Sequence, residues 1–277
     1  MQTLAGRTLV ISGGSRGIGL AIAKRAAADG ANIALLAKTV EPNPKLPGTI
    51  HEAAAEIEAA GGTCLPIQTD IRDEAQIEAA ITATVRRFGG IDILVNNASA
   101  ISLTDTASTA MKRFDLMLGV NTRGTFACTR AALPYLKDSA KAGRNPHVLT
   151  LSPPLNLAPR WLAPHVAYTI AKYGMSLCVL GHAEEFRPFG IAVNALWPRT
   201  VIDTAALQMI PGIAKAQCRV PAIMADAAHA ILTSDAVGNS GNFYIDDEVL
   251  AGIGITDLER YAAVPGSESL LPDLFLD

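Results

Sequence analysis

Thr8-Leu9-Val10-Ile11-Ser12-Gly13-Gly14-Ser15-Arg16-Gly17-Ile18-Gly19 decides how the rest of the chain is read. Its first half is a short apolar run rich in β-branched types, which predicts a buried strand. Its second half is a glycine turn. The Ala-rich segment Leu20 to Asp29 follows, with Ile18, Ile22 and Ala26 on one helical face and Gly30 as a C-terminal stop. Strand, glycine turn and helix together form half of a dinucleotide-binding unit. Glycines belong in such a turn because it is tight and its backbone must approach a pyrophosphate seated at the positive end of the helix. Gly13, Ser15, Arg16, Gly17, Ile18 and Gly19 are therefore candidate cofactor contacts.

The alternation of elements continues outward from this unit. Asn32 to Lys38 predicts a second, buried parallel strand. At its end such folds usually carry an acid that binds the adenosine ribose, and here Ala37-Lys38-Thr39 stands instead. Lys38 and Arg16 would converge on a 2′-phosphate, which favours NADP over NAD; the alternative is that both are plain surface charges. Residues Val40 to Thr49, with Pro42, Pro44 and Pro47, form a long loop near the adenosine end, either clamping the cofactor or decorating the surface. A helix from Ile50 ends at Gly61-Gly62, and Thr63 to Asp70 reads as a third strand. Asp73 caps a helix reaching Phe88, and Ile91 to Val95 is a fourth strand running into Asn96-Asn97-Ala98-Ser99. Parallel sheets bind ligands where strands end, so Asp70 and Asn97 should border the glycine turn; such asparagines also satisfy buried backbone groups. The fold expected is α/β, a single-domain doubly wound parallel sheet of Rossmann-like type with helices on both faces.

Bulk properties narrow the function. With 277 residues and 49% of them apolar, the chain can bury one large core, read as a single domain over 1–277. A net charge of −3 without basic or acidic runs argues against nucleic acid and anionic membrane surfaces as partners. Cys64, Cys128, Cys178 and Cys218 are far apart and lack metal-ligand spacing, so reduced thiols and no metal are expected. Neither a membrane-spanning run nor a leader pattern stands out, which makes the cytoplasm the default compartment.

Tyr168-Thr169-Ile170-Ala171-Lys172 carries the candidate chemistry. Residues four apart share a helical face, so a phenol and an ammonium can point into one cleft. A neighbouring cation favours the phenolate, which brings a tyrosine toward a useful acid-base range. The spacing alone is common, and a half-buried tyrosine beside a snorkelling lysine would look the same.

Taken in order, Gly13-x-x-x-Gly17-Ile18-Gly19, Asn96-Asn97-Ala98 and Tyr168-x-x-x-Lys172 resemble the short-chain dehydrogenase/reductase family across essentially the whole chain. Ala37 to Ile50, Ser152-Pro153-Pro154-Leu155-Asn156 and Ala195-Leu196-Trp197-Pro198-Arg199 are similar to its branch of hydroxysteroid dehydrogenase-like proteins. That branch includes bacterial chains labelled citronellol or citronellal dehydrogenases. The sterol-carrier domain of animal members is expected to be missing, with its lipid-transfer role, because the chain stops at Asp277.

The resemblance implies further roles. Asn121, on a long helix from Met111 to Leu133, would hold a water linking Lys172 to solvent. Ser152, at the end of strand His147 to Ser152, would polarise the substrate oxygen. The family commonly has a second serine where this chain has Pro153, so Ser152 stands one place early and needs a twist or bulge to aim inward; Asn156 and Thr169 are the substitutes. Thr200 would meet the nicotinamide end. Arg199 replaces a family glycine and would pair with Asp203 or meet an anionic substrate such as an acyl thioester. Residues 200–220 would form a substrate lid, and Trp161, Leu162, Trp197, Leu207 and Met209 an apolar pocket. The apolar tail 264–277 should pack on its own core or on a neighbouring subunit.

The expected function is NADP-dependent interconversion of an alcohol and a carbonyl on an apolar terpenoid, fatty or steroid-like molecule, with Tyr168 as acid/base and Lys172 also holding ribose hydroxyls. A homodimer or homotetramer is the expected assembly. Competing readings are a dinucleotide-binding regulatory or scaffolding protein with weak or lost catalysis, and an enoyl-type reductase.

Overall fold

Short β-branched runs separated by glycine turns and amphipathic helices produce a seven-stranded sheet, ordered β3-β2-β1-β4-β5-β6-β7, in which every pairing is parallel. The computed structural model describes residues 3–42, 48–207, 210, 212–267 and 269–277. The strands are β1 (Thr8–Ser12), β2 (Asn32–Ala37), β3 (Thr63–Gln68), β4 (Ile93–Asn96), β5 (His147–Thr150), β6 (Ala192–Trp197) and β7 (Phe243–Ile245). Helices α1 (Gly17–Ala27), α2 (Ile50–Ala59), α3 (Glu74–Phe88), α4 (Met111–Met117), α5 (Gly124–Lys141), α6 (Pro159–Leu162), α7 (Val166–Phe186), α8 (Ala222–Thr233) and α9 (Asp246–Gly252) complete it.

Strand alternation builds two cores. Leu9, Ile11, Ile33, Leu35 and Ile93 point to one face, where they pack against α1, α2 and α8 through residues such as Ile22, Ile57 and Ile231. Val10, Ala34, Leu36, Leu94 and Val148 point to the other, against Ile77 of α3, Leu136 of α5 and Val179 of α7. The near-continuous burial of β1 and β4 follows from having helices on both faces.

After β3 the chain crosses to the far side of β1 and adds β4, so the strand order reverses between β1 and β4. That switch point leaves a crevice above the carboxyl ends of both strands. Local signals hold at the helix starts. Thr49 makes a reciprocal capping box with Glu52, and Asp73 accepts from the N–H groups of Ala75 and Gln76.

Two helix readings change. The helix begun at Met111 continues past Leu133 through Pro134 to Lys141, and its middle, Leu118–Arg123, is a π-helical turn. The last strand, which the sequence suggests over Gly241 to Asp246, is confined to Phe243–Ile245, and Asp246 starts α9 instead. Within the proline-rich loop, residues 43–47 lie outside the described residues, as do Met209 and Pro211 of the expected lid.

Candidate active site

The glycine turn is packed so closely that side chains would not fit. Gly13 has φ +68°, and a Cβ there would stand 2.7 Å from the Cα of Ala98. At Gly19 it would meet the Asn97 amide at 2.5 Å and the Gly13 carbonyl at 2.9 Å. Asn97 holds this turn, donating its side-chain amide to the carbonyls of Ser12 and Gly13 at 3.0 Å each. The Ser12 hydroxyl receives the N–H groups of Asn97 and Ala98. Unlike α2 and α3, α1 starts with no side-chain cap and no acid in its first turn, which suits an anion at its N-terminus.

Around this turn several buried polar atoms lack a partner among the described residues: Arg16 Nε, Ser152 Oγ and Thr200 Oγ1. Such orphans are few in native proteins and call for a ligand or water. Arg16 also donates to the Gly48 carbonyl at 2.8 Å, tying the glycine turn to the far end of the proline-rich loop. Lys38 pairs with Asp70 at 3.0 Å, and Arg72 bonds the same carboxylate, holding it well below the usual range. The orphaned donors, the uncapped helix and the glycine cradle fit a dinucleotide.

On α7, Tyr168 and Lys172 share a face and are both buried. Lys172 donates to the Leu151 carbonyl at 2.8 Å, and Ser176, one turn on, donates to the Pro153 carbonyl at 2.6 Å. Ser152 therefore sits between two backbone carbonyls clamped to the tyrosine helix. The chain turns at Leu151, where the Ser152 N–H bonds back to the Thr150 carbonyl at 3.0 Å. This γ-turn ends the strand at Thr150, two residues before Ser152, so strand alternation no longer dictates where Ser152 aims.

Asn156 and Thr169 are otherwise engaged. The Thr169 hydroxyl donates to the Trp161 carbonyl, and Asn156 holds the Phe275 carbonyl at 3.4 Å. Asn121 lies fully buried in the π-helical turn, its amide bonding both the N–H and the carbonyl of Ala100 at 2.7 and 3.1 Å. π-helical turns concentrate at functional sites.

The electrostatics differ from the simple tyrosine–lysine picture. Burial, with a contribution from Asp273, raises the Tyr168 pKa above its ordinary value instead of lowering it. Burial also lowers Lys172 to about 8, partly offset by Asp273. Asp273, half-buried, is pushed up to about 7 by burial and held back by the Leu274 N–H and by Lys172. Arg199 pairs not with Asp203 but with Asp247 at 3.1 Å and with Glu248, because β7 delivers the acidic start of α9 beside the end of β6. Its N–H also bonds the buried carboxylate of Asp246 at 2.8 Å.

The expected pocket divides. Trp161 and Trp197 join Tyr168 in one apolar cluster, while Leu162 lines a separate groove with Val166, Ile170 and Leu177. The cluster also contains Leu274, Phe275 and Leu276 of the tail. His165, Asp273 and Phe275 lie around Tyr168; the sequence leaves His165 as either a substrate contact or an ordinary helix-start residue and does not single out the other two. The apolar tail was the only signal for the last two, and it could not show which surface the tail covers.

The sequence profile described as short chain dehydrogenase matches residues 7–211, and the chain belongs to that family. Hydroxysteroid dehydrogenase-like protein 2 of Xenopus laevis is 61% identical over 275 residues, 99% of this chain. This chain spans 64% of that relative's length. A crystal structure of a Xanthomonas campestris protein matches with a TM-score of 0.95 and 61% identity, covering 99% of both chains. A short chain dehydrogenase from Mycobacterium thermoresistibile matches at 0.92 and 55% identity, covering 99% of this chain and 96% of that one.

Proposed function

We propose that this protein is an NADP-dependent oxidoreductase interconverting an alcohol and a carbonyl on an apolar molecule of terpenoid, fatty or steroid-like type. The observation that carries the reading is Ser152: a buried hydroxyl without a partner among the described residues, clamped beside the tyrosine helix. Leaving such a group unpaired costs about 1–3 kcal/mol, a cost recovered when a substrate oxygen accepts its hydrogen bond. A bound nicotinamide dinucleotide supplies or accepts the hydride. Gly13, Ser15, Gly17, Ile18, Gly19, Asn97 and Thr200 would hold it, with Lys172 on its ribose and Arg16, Lys38 and Asp70 at its adenosine end.

In the reducing direction the Tyr168 phenol gives its proton to the carbonyl oxygen, and in the oxidising direction it takes the proton back. Burial keeps the resting phenol protonated, ready as an acid. The Lys172 ammonium stabilises the phenolate as the proton leaves. Asn121, locked to Ala100 in its π-helical turn, positions the backbone through which a water would connect Lys172 to solvent. Trp161 and Trp197 favour an apolar substrate. Exposed Phe126, Ile170 and Leu177 on α5 and α7 fit a homodimer or homotetramer. Unpaired cysteines and the lack of a membrane-crossing helix among the described residues fit the cytoplasm.

The test is turnover of apolar aldehydes, ketones and alcohols with NADPH and NADH, with product identification. Tyr168→Phe is expected to lose at least about 100-fold in turnover and to keep NADPH affinity. Tight NADPH binding without turnover across the panel would mean a binding protein, reduced alkenes would mean an enoyl reductase, and equal or better efficiency with NADH would refute the NADP preference.

A further inference from the structure

The last residues of the chain form a wall of the candidate site. Leu271 bonds Val201 and Gln217, Pro272 pairs with Thr200, and the Asp273 N–H donates to the Arg199 carbonyl at 3.0 Å. Farther on, the indole of Trp197 donates to the Leu274 carbonyl at 2.9 Å, and the indole of Trp161 to the Asp277 carboxylate at 3.0 Å. Between these two anchors Phe275 turns inward. Its backbone takes φ +74°, a left-handed conformation costly for a bulky residue. The strain places its ring, 1% exposed, among five others. Ring centroids lie 5.2 Å away for Tyr173, 5.9 Å for His165, 6.0 Å for Trp197, 6.2 Å for Trp161 and 6.4 Å for Tyr168. Against Tyr168 the two planes differ by only 28°.

We propose that Phe275 is a specificity-determining residue, whose ring fills the apolar space against Tyr168 and thereby limits the bulk of the group next to the reacting carbon. The proposal rests on the alcohol–carbonyl reading and deepens it. A group reaching the buried Tyr168 and Ser152 must share that space with the phenyl ring, so small substituents fit beside it and ring-sized ones compete with it. Truncating the side chain leaves a slot of phenyl shape, and enlarging it narrows the slot.

Butanal and 3-phenylpropanal test this with wild type, Phe275→Ala and Phe275→Trp. The preference for 3-phenylpropanal over butanal, as a ratio of kcat/KM, should rise about tenfold or more in Phe275→Ala, mainly through KM, and fall in Phe275→Trp. A ring that only supports the fold would lower both substrates together, and an unchanged ratio in both variants overturns the proposal. Binding supplies a readout independent of turnover, because the chain's two tryptophans both flank Phe275. Quenching of their fluorescence by butan-1-ol and 3-phenylpropan-1-ol should show the same shift between wild type and Phe275→Ala. If no variant turns over either aldehyde, the alcohol–carbonyl reading is left to the wider panel, and the binding ratio alone decides here: a shift supports the selecting role, and equal ratios overturn it.

Discussion

Lys172 donates its ammonium to the carbonyl of Leu151 at 2.8 Å, and Leu151 is the residue at which the chain turns into Ser152. The lysine that is expected to support the phenol thus also fixes the backbone that presents the hydroxyl. The proposed acid and the proposed polarising donor are linked through one lysine, so displacing the loop should disturb both together.

Ser152→Ala should separate activity from stability. Turnover is expected to fall by about 10- to 1000-fold if the hydroxyl meets the reacting oxygen. The melting temperature should stay level or rise, since the substitution removes a buried hydroxyl that has no hydrogen-bond partner among the described residues. Steady-state kinetics and a thermal melt on the same preparation check both; unchanged turnover would remove Ser152 from the site.

Arg16→Ala tests the adenosine end. Arg16 ties the glycine turn to Gly48 and keeps Nε unpaired, whereas Lys38 is already paired with Asp70. The KM for NADPH should rise about tenfold or more while that for NADH changes little. An equal rise for both would mean that Arg16 shapes the turn without reading a phosphate.

Gly13→Ala meets backbone, not a movable side chain, and must also hold φ +68°. A loss of about 1–3 kcal/mol in stability, with weaker cofactor binding, is expected from urea titration and NADPH titration. A stable variant with full affinity would show that the turn can open to admit a methyl group.

Asp273 predicts a pH dependence. Its folded pKa of about 7 lies above its ordinary value of 3.8, so its contribution to stability is full below about pH 4 and is lost as pH rises through about 7. The charged groups whose fields reach it are Lys172 and Asp246, and Tyr168 lies within its own field. Lys172, lowered to about 8 from 10.5, acts in a higher window, where stability rises with pH between those values. Asp273→Asn should therefore raise the melting temperature at pH 8 and leave it nearly unchanged at pH 4. The reverse pattern would mean that the carboxylate is held by its charge.

Local chemistry accounts for most of what the sequence revealed. Glycines at 13, 17 and 19 between β1 and α1, the cap at Asp73 and the alternating β and α periods all lead to the observed sheet. Tyr168 and Lys172 were legible because helical spacing is a local property. What was not legible depends on contacts far apart in the chain. The γ-turn before Ser152 is anchored by Lys172, the partners of Arg199 come from α9, and Phe275 packs near Tyr168 from more than a hundred residues further along the chain. The direction of the Tyr168 shift escaped for the same reason, since burial by the whole fold outweighs its neighbour on the helix.

The π-helical turn at Leu118–Arg123 has a consequence for register. It inserts one residue's worth of rotation, about 100°, into an otherwise continuous helix. Everything after it is phased by that insertion: Cys128, Ala132 and Leu136 face the sheet, and Thr122 nestles against Gly174, where a Cβ would come within 2.3 Å of its hydroxyl. Removing a single residue from this turn would restore a regular helix and swing the Cys128–Leu136 stripe off the sheet, so the length of the chain here is tied to which face of α5 is buried.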